Sequence, residues 1–99
     1  MTRLIWSPRA LDDLDAIEAY IAKDNPVAAR RLITKIVHRA NRIERFPEGG
    51  GFVDEDETRR YRQVLQGSYR IIYRYEPAAK TAFIIAVIHA ARLLDPDTL

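Results

Sequence analysis

The chain contains no cysteine. A disulfide framework and a thiol nucleophile are therefore excluded, and a cytoplasmic setting is permitted. The two histidines, His38 and His89, stand far apart and show no ligand spacing, so neither a metal nor another cofactor is expected. Long apolar runs are missing too. The longest, Ala82 to Ile88, falls well short of the ~20 residues of a membrane span and suits a buried strand. The opening MTRLIWSPRALDD has no extended apolar core, which is not the pattern of a signal peptide. Glycine is scarce, and three of the four are consecutive, Gly49 to Gly51. They do not make a phosphate loop, because no strand precedes them and no Lys-Ser/Thr follows. An excess of one charge is also lacking: 16 Lys and Arg face 14 Asp and Glu, for a net +2. Net charge is thus a weak argument for a nucleic-acid partner, and its distribution matters more.

What remains is a chain of 99 residues, 47% hydrophobic and 30% charged, which suits one globular domain over residues 1–99. A chain of this size buries roughly 60–70% of the surface its unfolded form exposes, enough for one core.

The hydrophobic pattern predicts an α+β fold. Thr2 to Trp6 reads as a strand. Ser7-Pro8 then opens a helix: the hydroxyl can cap a free N–H, and proline suits the first helical position. Leu11, Leu14, Ile17 and Ile21 fall on one helical stripe, with Asp12, Asp13, Asp15 and Glu18 off it. Lys23 to Pro26 breaks the helix, and Asn25-Pro26 opens a second. Its stripe is Ala29, Leu32, Ile33, Ile36, Val37, Ala40 and Ile43; Arg31, Lys35, His38, Arg42 and Arg45 make the opposite face. So short a break predicts an antiparallel helical hairpin. The helix ends before Phe46-Pro47. Glu48 to Glu57, with its glycines and acidic run, is expected to be a mobile loop.

Three strands follow: Arg60 to Leu65, Tyr69 to Glu76 and Thr81 to His89, joined by turns at Gly67-Ser68 and Pro77 to Lys80. Short turns force an antiparallel meander. In the second strand, Tyr69, Ile71, Tyr73 and Tyr75 share one face, and Arg70, Ile72, Arg74 and Glu76 the other. In the third, alternation sets Phe83, Ile85 and Val87 against Ile84, Ala86 and Ile88. Both sets are apolar, so this strand is central. The helical hairpin is the cover the meander needs.

The arginines that interrupt this pattern are the candidate functional residues. Arg60 and Arg62 share a face, Arg70 and Arg74 share a face of the next strand, and Arg92 lies three residues past His89. Together they could hold phosphates or carboxylates through forked hydrogen bonds. The plainer reading is a solvated outer face with Arg74 paired across strands to a carboxylate. His89, where the central strand runs out, is the candidate for proton chemistry; the plainer reading has it satisfied by a backbone carbonyl. The stripe Arg31, Lys35, Arg42 and Arg45 could track a nucleic-acid backbone, or be the wet side of an amphipathic helix. Asp54 to Glu57 lack apolar cover, so nothing is expected to raise a pKa there.

The order of these parts resembles the RelE/ParE superfamily of type II toxin–antitoxin toxins, most closely the ParE-like branch. The resemblance rests on a strand, a hairpin opened by Ser7-Pro8 and Asn25-Pro26, Phe46-Pro47-Glu48 with glycine, Gly67 to Arg74 and Val87 to Arg92. It implies a helical hairpin against a twisted antiparallel sheet. It also implies a cognate antitoxin with a ribbon-helix-helix DNA-binding region, whose tail wraps the toxin to form a hetero-oligomer in the cytoplasm. ParE-like members act on DNA gyrase and have no established catalytic residues. RelE-like members cut messenger RNA on the ribosome without a metal, using basic side chains on the phosphate and usually a C-terminal tyrosine or a histidine–tyrosine pair. Under that alternative Arg70 matches the arginine after the strand tyrosine, and Arg92 the arginine after the last strand. Arg60 and Arg62 fall near the lysine pair without aligning with it. Asp95 to Leu99 holds no tyrosine and no base, so Tyr73 or His89 would have to move protons. The resemblance therefore favours the ParE-like reading, with Arg60, Arg62, Arg70, Arg74, His89 and Arg92 as contacts to the target.

Overall fold

The computed structural model describes residues 1–99. Strand β1 (Arg3–Trp6) leads into helices α1 (Pro8–Ala22) and α2 (Pro26–Asn41), and a 3₁₀ turn (Arg42–Glu44) extends α2. Strands β2 (Gly51–Phe52), β3 (Arg62–Gln66), β4 (Tyr69–Glu76) and β5 (Thr81–His89) follow. Both helix starts form as the sequence predicts. Ser7 Oγ accepts from the Ala10 N–H and Asn25 Oδ1 from the Ala28 N–H, each at 3.0 Å, with proline in the first turn of both helices.

The sheet has five strands, in the order β1-β5-β4-β3-β2. The expected meander β3-β4-β5 is antiparallel throughout. Two additions lie beyond it. β1 pairs in parallel with β5, so β5 is interior, and the short β2, inside the segment expected to be a mobile loop, pairs with β3. α1 lies over β5 and α2 over β3. The core between helices and sheet contains Ala10, Leu14, Ile36, Ala40, Ile43, Val64, Ile71, Tyr73, Ala82, Ile84 and Val87. Leu11, placed on the helical stripe by its spacing, is instead 49% exposed; Ala10 takes the buried position.

The strict alternation expected in β5 fails at one residue. Ile72 faces Ala86 and Tyr73 faces Ile84, which leaves Ile85 unmatched. This β-bulge moves Ile84 to the helix side with Ala82 and Val87, while Ile85, Ala86 and Ile88 pack on the other side. The backbone groups around the irregularity are met by the start of α1. The Ser7 N–H donates to the Ile84 carbonyl at 2.9 Å and the Ser7 hydroxyl to the Ile85 carbonyl at 3.0 Å. Asp13, which its spacing places off the apolar stripe, accepts from the Val87 N–H at 2.9 Å.

The far face of the sheet is not open to solvent. Ile72, Ala86 and Ile88 form a second core with Val53, Tyr61 and Leu94, joined by Leu99. The segment before β3 and the C-terminal segment therefore both fold across that face. The first of them is organised by Asp56. Its carboxylate accepts from the backbone N–H groups of Thr58, Arg60 and Tyr61 and from the Thr58 hydroxyl. These bonds surround Arg59, whose φ of 57° lies in the left-handed region. A non-glycine residue remains there only when its neighbours over-determine it.

Candidate functional site

The cover on the far face decides the position of Arg70. This residue is only 6% exposed. Its guanidinium donates through Nη1 to Glu55 Oε1 at 2.9 Å and through Nη2 to Glu55 Oε2 at 2.8 Å. Nη1 also reaches Gln63 Oε1 at 3.2 Å, and Nη2 the Arg92 carbonyl at 2.9 Å. Glu55 in turn accepts from the Leu94 N–H at 2.9 Å. The hydrogen bonds from Arg70 lead the causes that lower the Glu55 pKa to about 2. A planar fork meeting a carboxylate explains why arginine suits this place. The geometry makes Arg70 a clasp between the segment before β3, strand β4 and the C-terminal segment. As an open contact for a target it is corrected: nothing outside the chain reaches its guanidinium while the clasp is closed.

His89 and Arg92 lie beside the clasp, and both are exposed. His89 Nδ1 accepts from the Ala91 N–H at 3.1 Å, which places the ring proton of the neutral form on Nε2. The ring meets Tyr69 edge to face, with centroids 5.4 Å apart. The backbone carbonyl expected to satisfy His89 is thus replaced by a backbone N–H. Tyr73 is not available for proton transfer. Its hydroxyl is buried, donates to the Pro47 carbonyl at 2.8 Å and accepts from the Gly50 N–H at 3.0 Å. Burial raises its pKa.

Arg60 and Arg62 belong to a different place. They line a hollow of about 310 Å³ with Glu48, Phe52, Arg59, Tyr75 and Pro77. The guanidinium carbons of Arg59 and Arg62 lie 4.3 and 4.2 Å from the centre of the Phe52 ring, a cation–π arrangement. Arg62 also donates to the carbonyls of Glu48 and Gly50 at 3.1 and 2.8 Å. Arg60 is exposed, donates to the Thr58 hydroxyl at 2.8 Å and stands 3.9 Å from Asp56. Arg74 pairs with Glu76 on its own strand, not across strands, and lies over Phe83 at 4.8 Å.

The six residues singled out in the sequence are therefore not one surface. In the β3–β4 register Arg62 faces Tyr73 whereas Arg70 faces Leu65, so the two groups sit at different levels of the sheet. Sequence reasoning missed Phe52 and Glu55, which lie in the segment read as a mobile loop, and Arg59, which follows it. The signal available there was Asp56, two residues before Thr58 and four before Arg60, which could have suggested a side-chain-capped turn. No three His, Cys, Asp or Glu side chains converge where a metal could be held. No helix is long and apolar enough to cross a membrane.

Known proteins share this sequence and architecture. Residues 4–94 match the family model described as the ParE toxin of the type II toxin–antitoxin system, parDE. Toxin RelE2 of Caulobacter vibrioides is 33% identical over 93 residues, spanning 94% of this chain and 100% of that protein. Among solved structures, the chromosomal ParDE toxin–antitoxin system of P. aeruginosa superimposes with a TM-score of 0.73 at 22% identity, over 90% of this chain and 96% of that one. The RelBE2 toxin–antitoxin complex of Mycobacterium tuberculosis gives 0.66 at 23% identity, over 89% and 96%. The fold is that of the RelE/ParE superfamily, and the chain belongs to the ParE toxin family of type II toxin–antitoxin systems.

Proposed function

We propose that this ParE-family toxin inhibits DNA gyrase and so blocks replication, and that a cognate antitoxin silences it. The observation that carries this reading is the state of the groups an RNA-cleaving site would use. Arg70, the match to the phosphate-binding arginine, is closed in its ion pair with Glu55, and the Tyr73 hydroxyl is held between Pro47 and Gly50. Neither can meet a phosphate or a ribose hydroxyl without dismantling the fold around it. Docking on a protein target needs no such chemistry. The exposed Arg59 and Arg60 with the half-buried Arg62 and Phe52 form one contact group and His89 and Arg92 another; Arg74 follows Tyr73, the partner of Arg62, and so lies at the level of the first group.

The toxin acts as a single domain in the cytoplasm, without metal or cofactor. Its antitoxin carries a ribbon-helix-helix region for DNA and a tail that wraps the toxin in a hetero-oligomer. The outer edge of β1 is unpaired in the sheet, and Ile5 and Leu11 are exposed near it in sequence; an extended tail can add there as a strand.

One observation favours the ribosomal alternative. The half-buried Tyr69 and the exposed His89 form a histidine–tyrosine pair, the kind of pair that could move protons in messenger RNA cleavage. Pulse-labelling after induction of the chain alone separates the two. Early loss of DNA synthesis supports gyrase inhibition. Early loss of protein synthesis, with transcripts cut at codon-linked sites, supports the alternative and makes His89 the residue to replace.

A further inference from the structure

We infer that α2 carries a second binding surface, one that holds the phosphate backbone of double-stranded DNA without reading its sequence. It lies outside both contact groups described above. Its origin is a strong segregation of charge within a nearly neutral chain. From Pro26 to Arg45 there are six cations (Arg30, Arg31, Lys35, Arg39, Arg42 and Arg45) against one acid, Glu44, a local charge of +5. The partner helix α1 has the reverse sign, with Arg9 against Asp12, Asp13, Asp15 and Glu18.

The cations of α2 have no internal partners. The four ion pairs of the molecule join Arg9 to Asp13, Arg60 to Asp56, Arg70 to Glu55 and Arg74 to Glu76. None involves α2, and no α2 guanidinium or ammonium makes a side-chain hydrogen bond. Arg31, Lys35, Arg39 and Arg42 recur at steps of four, four and three. That spacing puts them on one stripe about 16 Å long. Arg31 and Lys35 line a shallow hollow of about 400 Å³ at one end, and Arg39 and Arg42 one of about 340 Å³ at the other. Arg30 lines both the hollow of Arg31 and Lys35 and one beside Asp15 and Glu18 of α1, and its spacing leaves it out of the stripe.

The composition of the stripe selects the partner. Protein-binding surfaces centre on buried aromatic or aliphatic anchors, with charge at the rim. The large exposed apolar residues here are Val27, in the first turn of α2 beside Arg31 and Lys35, and Phe46, past its end beside Arg39 and Arg42; none lies between them. A row of free cations with no apolar centre fits a polyanion of regular spacing. Duplex DNA, with one charge per about 1.7 Å of axis, is the densest such partner.

The test is fluorescence anisotropy with the full chain, made in a cell-free system, and a labelled 20-base-pair duplex titrated between 50 and 200 mM KCl. Four phosphate contacts give a slope of log K on log salt of about −3.6, a loss of roughly 100-fold across that range. The exposed double variant R31E/K35E, shown folded by circular dichroism, should halve the slope to about −1.8 and weaken binding at 50 mM by tenfold or more. Two duplexes of unrelated sequence should bind within about twofold of each other. No binding at 50 mM, a slope unchanged in R31E/K35E, or binding to duplex RNA with none to DNA would each overturn the proposal. The readout involves no gyrase, so its failure leaves the reading of the target untouched.

Discussion

Arg70 and Glu55 meet side by side, Nη1 on Oε1 at 2.9 Å and Nη2 on Oε2 at 2.8 Å, beneath a cover drawn from both ends of the sheet segment. The pair joins residues fifteen apart in sequence and holds the C-terminal segment through the Arg92 carbonyl and the Leu94 N–H. An arginine on a strand can mark a surface or a buried clasp, and here it is the clasp. Breaking such a pair leaves one charge buried without its partner.

Glu55→Ala should therefore cost about 2–3 kcal/mol, below the usual range for a fully buried pair because Glu55 keeps some solvent contact. Arg70→Ala should cost a similar amount. The double variant should lose clearly less than the sum of the two, as coupled neighbours do. Urea denaturation of the four proteins measures this directly. Loss of toxicity in Arg70→Ala would then track the unfolded fraction rather than a missing target contact.

The same pair sets a pH dependence. Glu55 is lowered from 4.5 to about 2 in the folded chain, so between those values the unfolded state binds more protons. Stability from this group is fully present above pH 4.5 and is lost as pH falls toward 2. Glu55→Gln should be less stable than the parent at pH 7, and the gap should close as pH falls toward 2. Thermal melts across that range are the check.

Gly50 and Gly51 are neighbours with opposite tolerances. A Cβ on Gly50 would lie 2.6 Å from the Tyr73 hydroxyl and 2.7 Å from the Gln63 carbonyl, whereas a Cβ on Gly51 would meet nothing within 4 Å. Gly50→Ala should destabilise by about 1–3 kcal/mol through overpacking. Gly51→Ala should stay within about 0.5 kcal/mol of the parent. Chemical denaturation distinguishes the two.

Tyr73→Phe removes a hydroxyl with two backbone partners, and should cost about 1–3 kcal/mol by leaving the Gly50 N–H and Pro47 carbonyl unpaired. It should still arrest growth at low temperature, where enough of the variant is folded. A folded but harmless Tyr73→Phe would instead give that hydroxyl a part in chemistry.

The local rules were legible in the sequence. Ser7-Pro8 and Asn25-Pro26 signal helix starts through capping chemistry that needs no tertiary context. The antiparallel meander follows from two short turns, and the apolar run of β5 marks an interior strand. What was not legible depends on distant partners. The bulge at Ile85 is met by Ser7 and Asp13 of α1, more than seventy residues away. The turn around Asp56 looks unstructured because its order comes from one carboxylate gathering backbone N–H groups, not from burial of a periodic face. Arg70 changed meaning for the same reason: alternation assigns a face, but not what lies across it. The candidate site was read as one basic surface, and the register of β3 on β4 divides it.

The most direct test of the central claim is a supercoiling assay with purified gyrase, relaxed plasmid and the full chain, alone and with its antitoxin. Gyrase inhibition predicts that the toxin blocks supercoiling, that antitoxin restores it, and that His89→Ala, which removes one contact and leaves the core intact, weakens the block without abolishing it. Full supercoiling at a large molar excess of folded toxin, together with cleavage of ribosome-bound transcripts that His89→Ala abolishes, would contradict it.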